Sequence, residues 1–153
     1  MRLRKADVTV PFTFDGVKYC GVAGETLAAA LQANGVKLVA RSFKYHRPRG
    51  VMGSGSEEPN ALVTIGTGAQ ADPNVRATVQ EVYEGLEAFS QNAWPTLKND
   101  VMAVNDFASP FLGAGFYYKT FMWPKAFWER VYEPIIRRAA GLGGLSGKTD
   151  PDT

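Results

Sequence analysis

VTVPFTFDGVKYCGVAGETLAAALQANG, residues 8–35, changes hydrophobic period once, and that change sets the fold. In its first part Val8, Val10, Phe12 and Phe14 alternate with other residues, so they share one face of a strand. Asp15-Gly16 follows, a pair suited to the positive φ that a type I′ hairpin turn needs at both central positions. VKYCGV (17–22) is then the returning strand. GETLAAALQANG (24–35) switches to a helical period. Leu27 and Leu31 sit one turn apart, alanine has the highest helix propensity, and Asn34-Gly35 supplies a left-handed exit.

Further along, VKLVAR (36–41) predicts a strand, and MGSGSEEPN (52–60) a polar, glycine-rich connection. ALVTI (61–65) predicts a short apolar strand. VRATVQEVY (75–83) and LEAFS (86–90) predict a second hairpin through Glu84-Gly85. One helix across a mixed, twisted sheet gives all these elements a single core. The expected class is therefore α+β, a β-grasp mixed sheet with one packed helix over residues 1–90, the arrangement that the resemblance given below implies is ferredoxin-like. An aromatic-rich, partly helical C-terminal extension over 91–141 and a linker or tail over 142–153 follow it. Ten aromatic residues fall between Phe107 and Tyr132. A helix is expected from Pro124 to Gly141, with Phe127, Val131 and Ile135 on one stripe and a kink at Pro134. So apolar a segment either packs back on the first domain or covers another protein; Phe116, Tyr117, Tyr118, Phe121 and Trp123 are its interface candidates.

Composition narrows the function. At 153 residues with 45% apolar and 21% charged residues, the chain can bury a real core. A formal charge of +2 excludes a surface built throughout for nucleic acid, and any such role must rest on a local patch. The basic start MRLRKADV has no apolar run behind it, and no stretch approaches the roughly 20 apolar residues of a membrane span. A cytoplasmic location is expected, with no membrane partner and no nucleic acid. The single cysteine, Cys20, excludes an internal disulfide and a thiolate cluster.

GTGAQA (66–71) fits a dinucleotide fingerprint, but Asp72-Pro73-Asn74 stands where the helix should open, so it reads as a loop. One histidine, with no Ser or Cys placed beside it and no orienting acid, gives no catalytic residue. No metal site is expected either. The stretch that stands out is RSFKYHRPRG (41–50), which gathers five basic or potentially basic side chains and two aromatics. Arg41, Lys44, Tyr45, His46, Arg47 and Arg49 are the candidate partner- or anion-binding loop. Stiffened by Pro48, it can present cations and backbone N–H groups to a phosphate, a carboxylate or a protein.

GETLAAALQANGVKLVARSFKYHRPRGVMGSGSEEPNALV closely resembles the N-terminal region of the α subunit of heterotetrameric sarcosine oxidase. RATVQEVYEGLEAFSQNAWPTL, AVNDF, GAGFYYKTFMWP and FWERVYEPIIRRAAGLG resemble successive blocks of the same subunit, so the resemblance covers about residues 8–145. It implies a domain similar to a two-iron ferredoxin, whose relatives place four cysteines in loops around the position of RSFKYHRPRG. With Cys20 alone, no iron–sulfur cluster is expected here. The resemblance further implies an assembly that oxidatively demethylates sarcosine or a related N-methyl amine. That assembly uses FAD, covalent FMN, NAD and tetrahydrofolate, none of them expected to be bound by this chain alone. The implied partners are the remaining α-type domains and the β subunit. The sequence stops about where a dinucleotide fingerprint should begin, so a split or truncated α subunit acting as an accessory domain is expected. The alternative is a stand-alone module using residues 41–50 for an anionic ligand or nucleic acid.

Overall fold

The computed structural model describes residues 8–107, 109 and 128–135. Strands β1 (Thr9–Phe14) and β2 (Val17–Val22) pair antiparallel, from Thr9 opposite Val22 to Phe14 opposite Val17. Their turn has the expected left-handed pair, Asp15 at φ 49° and Gly16 at φ 77°. Of the alternating residues, Phe12 and Phe14 are buried and Val10 packs against the core, while Val8 lies outside it.

Helix α1 (Leu27–Ala33) buries Leu27, Ala28, Ala30 and Leu31. Thr26 caps its start, its hydroxyl oxygen accepting from the Ala29 N–H at 3.3 Å. Asn34 closes the other end, and its side-chain amide donates to the Cys20 and Ala30 carbonyls, both at 2.8 Å, tying the helix to β2. Gly35, at φ +78°, makes the exit that the Asn-Gly pair predicts.

Two short strands, β3 (Ala40–Arg41) and β4 (Pro48–Arg49), form a separate ribbon. Strands β5 (Leu62–Ile65), β6 (Asp72–Arg76) and β7 (Leu86–Ser90) complete the main sheet, in the order β2-β1-β7-β5-β6. β7 runs parallel to β1 and antiparallel to β5, so the sheet is mixed, as expected. Phe12, Leu27, Leu31, Val39, Val63 and Leu86 are fully buried and form the core.

Two expectations are corrected. VRATVQEVY and LEAFS do not form a hairpin. β6 ends at Arg76 and pairs with β5, while LEAFS sits between β1 and β5 at the centre of the sheet. The intervening segment serves the helix instead: the Gln80 and Ala77 carbonyls accept the Leu27 and Ala28 N–H groups at 2.7 and 2.8 Å. Those N–H groups have no intrahelical partner, so a backbone that caps them is not available for a ladder. The strand expected over 36–41 is likewise only Ala40–Arg41. GTGAQA is a loop, as read, with a 3₁₀ turn at Gly68–Gln70 that joins β5 to β6. Of the helix expected from Pro124 to Gly141, residues 128–135 are described and helical, opening with a π-helical turn, Trp128–Tyr132. The rest of it lies outside the described residues.

Candidate functional site

The basic stretch 41–50 is a small hairpin clasped by the chain that follows β7. Ala40 pairs with Arg49 and Arg41 with Pro48. At the tip the Ser42 N–H donates to the Arg47 carbonyl and the His46 N–H to the Ser42 carbonyl, both at 2.9 Å. His46 takes a left-handed φ of 53° to close the turn.

Arg41 and His46 point inward. The Arg41 side chain donates from Nε to the Leu97 carbonyl at 2.9 Å and from Nη1 to the His46 carbonyl at 2.8 Å. Its Nε also lies 3.4 Å from Asp100 Oδ2, and His46 Nδ1 donates to that same oxygen at 2.7 Å. The other oxygen, Oδ1, accepts the Trp94 and Met102 N–H groups, each at 3.1 Å. The Asp100 side chain has no exposed surface. Burial pushes its carboxyl up, but the Trp94 N–H, the hydrogen bond and charge of His46 and the Met102 N–H outweigh it and hold the group below its ordinary value. Residues 91–100 therefore belong physically with the hairpin: the Arg41 N–H donates to the Gln91 carbonyl at 3.0 Å, and Leu97 is buried against the core.

The other cations take separate partners, and of them Arg47 is exposed while Lys44 and Arg49 are half-buried. Arg47 Nε meets Asp106 Oδ1 at 2.7 Å, both side chains about half exposed. Tyr45 is flanked by Lys44 Nζ at 4.9 Å and Arg47 Cζ at 4.8 Å from its ring centroid, cation–π distances. Arg49 donates to the Asn60 side-chain oxygen at 2.6 Å. A cleft of about 300 Å³ opens beside the hairpin, walled by Arg41, Phe43, Arg49, Asn60, Leu62 and Gln91. The five aromatic interface candidates, Phe116, Tyr117, Tyr118, Phe121 and Trp123, lie outside the described residues.

Sequence reading missed two residues. Asp100 lies more than fifty positions from Arg41 and His46, and a lone Asp in a polar stretch carries no signal. Glu58 is 1% exposed, and its carboxylate accepts the N–H groups of Met52, Gly53, Asn60 and Ala61. Burial raises its carboxyl too, and the four N–H groups outweigh that and hold it below its usual range. The pattern E-x-N-A, with glycine five residues before the Glu, was the available hint.

Residues 7–93 match the family model described as "2Fe-2S iron-sulfur cluster binding domain". Over 146 residues, 95% of the chain, the sequence is 64% identical to the sarcosine oxidase subunit alpha of Rhizobium meliloti (strain 1021), of which it covers 15%. It is 41% identical over 85 residues, 54% of the chain, to the subunit of the same name from Corynebacterium sp. (strain U-96), covering 9% of it. The chain thus spans under a fifth of the length of these relatives. Among solved structures, an L-proline dehydrogenase from P. horikoshii matches 59% of this chain and 17% of its own, at 23% identity and a TM-score of 0.47.

A two-iron cluster needs four ligands, normally thiolates. This chain has one cysteine, Cys20, exposed on β2 at the far side of the sheet order from β5 and β6. Among the described residues no three His, Cys, Asp or Glu side chains converge as metal ligands would. Glu58 and Asp100, the buried carboxylates flanking the hairpin, are already filled by N–H donors. The residues do not fit the cluster.

Proposed function

We infer the function from kinship: the chain belongs to the 2Fe-2S iron-sulfur cluster binding domain family. Its role is that of an accessory N-terminal domain of a sarcosine-oxidase-type flavoenzyme assembly, one that oxidatively demethylates sarcosine or a related N-methyl amine. The 64% identity over 146 residues to a sarcosine oxidase subunit alpha carries this reading. The flavins, NAD and tetrahydrofolate of such an assembly would be held by other domains and subunits, and the assembly would work in the cytoplasm. Among the described residues no helix is long and apolar enough to cross a membrane.

The geometry supports a division of labour within the loop. Arg41 and His46 act inward and hold the hairpin to residues 94–102. Lys44, Tyr45, Arg47 and Arg49 are assigned to partner contact, together with Phe116, Tyr117, Tyr118, Phe121 and Trp123 of the extension. We place the β-grasp domain at 1–90, the extension at 91–141 with its first ten residues docked on the hairpin, and a tail at 142–153. The alternative, a stand-alone anion- or nucleic-acid-binding module, has less to draw on, because Arg41, His46 and Arg47 all have carboxylate partners within the chain.

Co-expression tests the reading. The chain, tagged, is produced with the part of the Rhizobium meliloti subunit that lies beyond the matched residues and with the other subunits of that oxidase. Co-purification with flavin absorbance in the complex is expected. Failure to associate with any flavin-bearing chain overturns it.

A further inference from the structure

A family that binds an iron–sulfur cluster folds its loops around an anionic inorganic core whose sulfurs accept hydrogen bonds. Here the loop of residues 50–61 carries no cysteine to hold such a core, and its backbone converges on one point. We propose that Glu58 is the internal anion that organises this loop, its carboxylate filling an oxyanion cradle built from four backbone N–H groups.

The geometry is that of a bound ligand. Oε2 accepts from the Met52 N–H at 2.7 Å and from the Gly53 N–H; Oε1 accepts from Asn60 at 2.8 Å and Ala61 at 3.2 Å. The two oxygens thus join two separate stretches of backbone, 52–53 and 60–61. Met52, Gly53, Asn60 and Ala61 all meet this carboxylate with N–H dipoles, and at 1% exposure water has little access to replace them. A carboxylate taken out of water costs several kcal/mol unless its lone pairs are filled, and convergent N–H groups fill them. The loop is pinned from outside as well: the Thr78 hydroxyl donates to the Gly55 carbonyl at 2.6 Å, and Arg49 holds the Asn60 side chain.

Two consequences follow. The N–H groups of 52, 53, 60 and 61 are spent on a side chain, so they are not free to donate to the sulfurs of a cluster. The cradle also has the chemistry to take a small carboxylate from solution once Glu58 is truncated. This inference is independent of the oxidase assembly proposed above and is tested on the chain alone.

The experiment is amide hydrogen exchange on the 153-residue chain, with and without formate and after incubation with iron and sulfide. In Glu58→Ala the amides of Met52, Gly53, Asn60 and Ala61 should exchange at least about tenfold faster, while Val63 in β5 stays protected. Formate should slow them again in a dose-dependent way. Glu58→Gln covers the case in which the alanine variant does not fold. Its amide has one oxygen and one NH₂, so one pair of N–H groups keeps its acceptor and the other pair faces a donor. One pair protected and one released is expected. Unchanged exchange in both variants, no response of a folded Glu58→Ala to formate, or bound iron that raises protection of these amides in the parent chain each overturn the proposal.

Discussion

Replacing Asp100 by Asn keeps the oxygen that receives the Trp94 and Met102 N–H groups. The other oxygen becomes an amide facing two donors, the Arg41 guanidinium and His46 Nδ1–H. Breaking one partner of a buried charge cluster typically costs about 3 kcal/mol, and Asp100→Asn should lose that much in urea unfolding. Tryptophan emission should change too, because Trp94 is tied to the same carboxylate. The pH dependence follows from Asp100 and Glu58, both with carboxyls held below their ordinary values in the folded chain. Below those ordinary values, 3.8 and 4.5, the unfolded chain takes up protons that the folded chain refuses. Stability then rises with pH, so this contribution is complete at neutral pH and lost as pH falls through the folded values. Urea midpoints between pH 7 and pH 3 should fall for the parent chain. They should fall less for a chain carrying both Asp100→Asn and Glu58→Gln, which starts lower.

Among the elements, those with a local cause were legible. The β1–β2 hairpin is written in alternation plus Asp15-Gly16, and α1 in Leu27, Leu31 and Asn34-Gly35. Strand β7 was legible as a strand but not as the centre of the sheet, because its neighbours β1 and β5 are chosen by non-local contacts. The Asp15 carboxylate illustrates this by accepting the Ser90 N–H at 2.7 Å across 75 residues. The basic hairpin was found by composition. Setting Arg41 and His46 apart as an inward pair needed Asp100, which the chain brings back from more than fifty residues away. Gly50 shows another non-local constraint. A Cβ there would lie 2.6 Å from the Lys37 carbonyl oxygen, a backbone atom with little room to yield. Gly50→Ala should therefore cost about 1–3 kcal/mol, an overpacking penalty, by displacing β4 from residue 37. Gly24, at φ +82° with open space around it, is the control: its alanine variant suffers backbone strain alone, on the order of 1 kcal/mol. Thermal unfolding of the two variants side by side checks the order.

For the whole molecule, the contrast is between a well-filled core and the apolar surface of the segment after it. Val101, Val104 and Phe107 recur every three residues along a 3₁₀ turn, Val101–Ala103, and the short helix α2, Val104–Phe107, so they lie on one stripe. They are 60%, 64% and 90% exposed, and Trp94, whose carbonyl accepts the Val101 N–H at 2.8 Å, is 64% exposed beside them. The stripe is held by Asp100, so it is presented on a fixed support. Apolar patches of this kind on an isolated chain promote self-association, and they become an asset when another protein covers them. Purified alone, the chain should show a concentration-dependent rise in mass by light scattering. Changing Val101, Val104 and Phe107 together to Ser should suppress that rise without lowering the thermal midpoint, since none of the three contributes to the core. In the co-expression experiment the same triple variant tells whether the stripe takes part in assembly. Reduced co-purification places it in the contact, and unchanged co-purification assigns the contact to Lys44, Arg47 and Arg49 or to the aromatic extension.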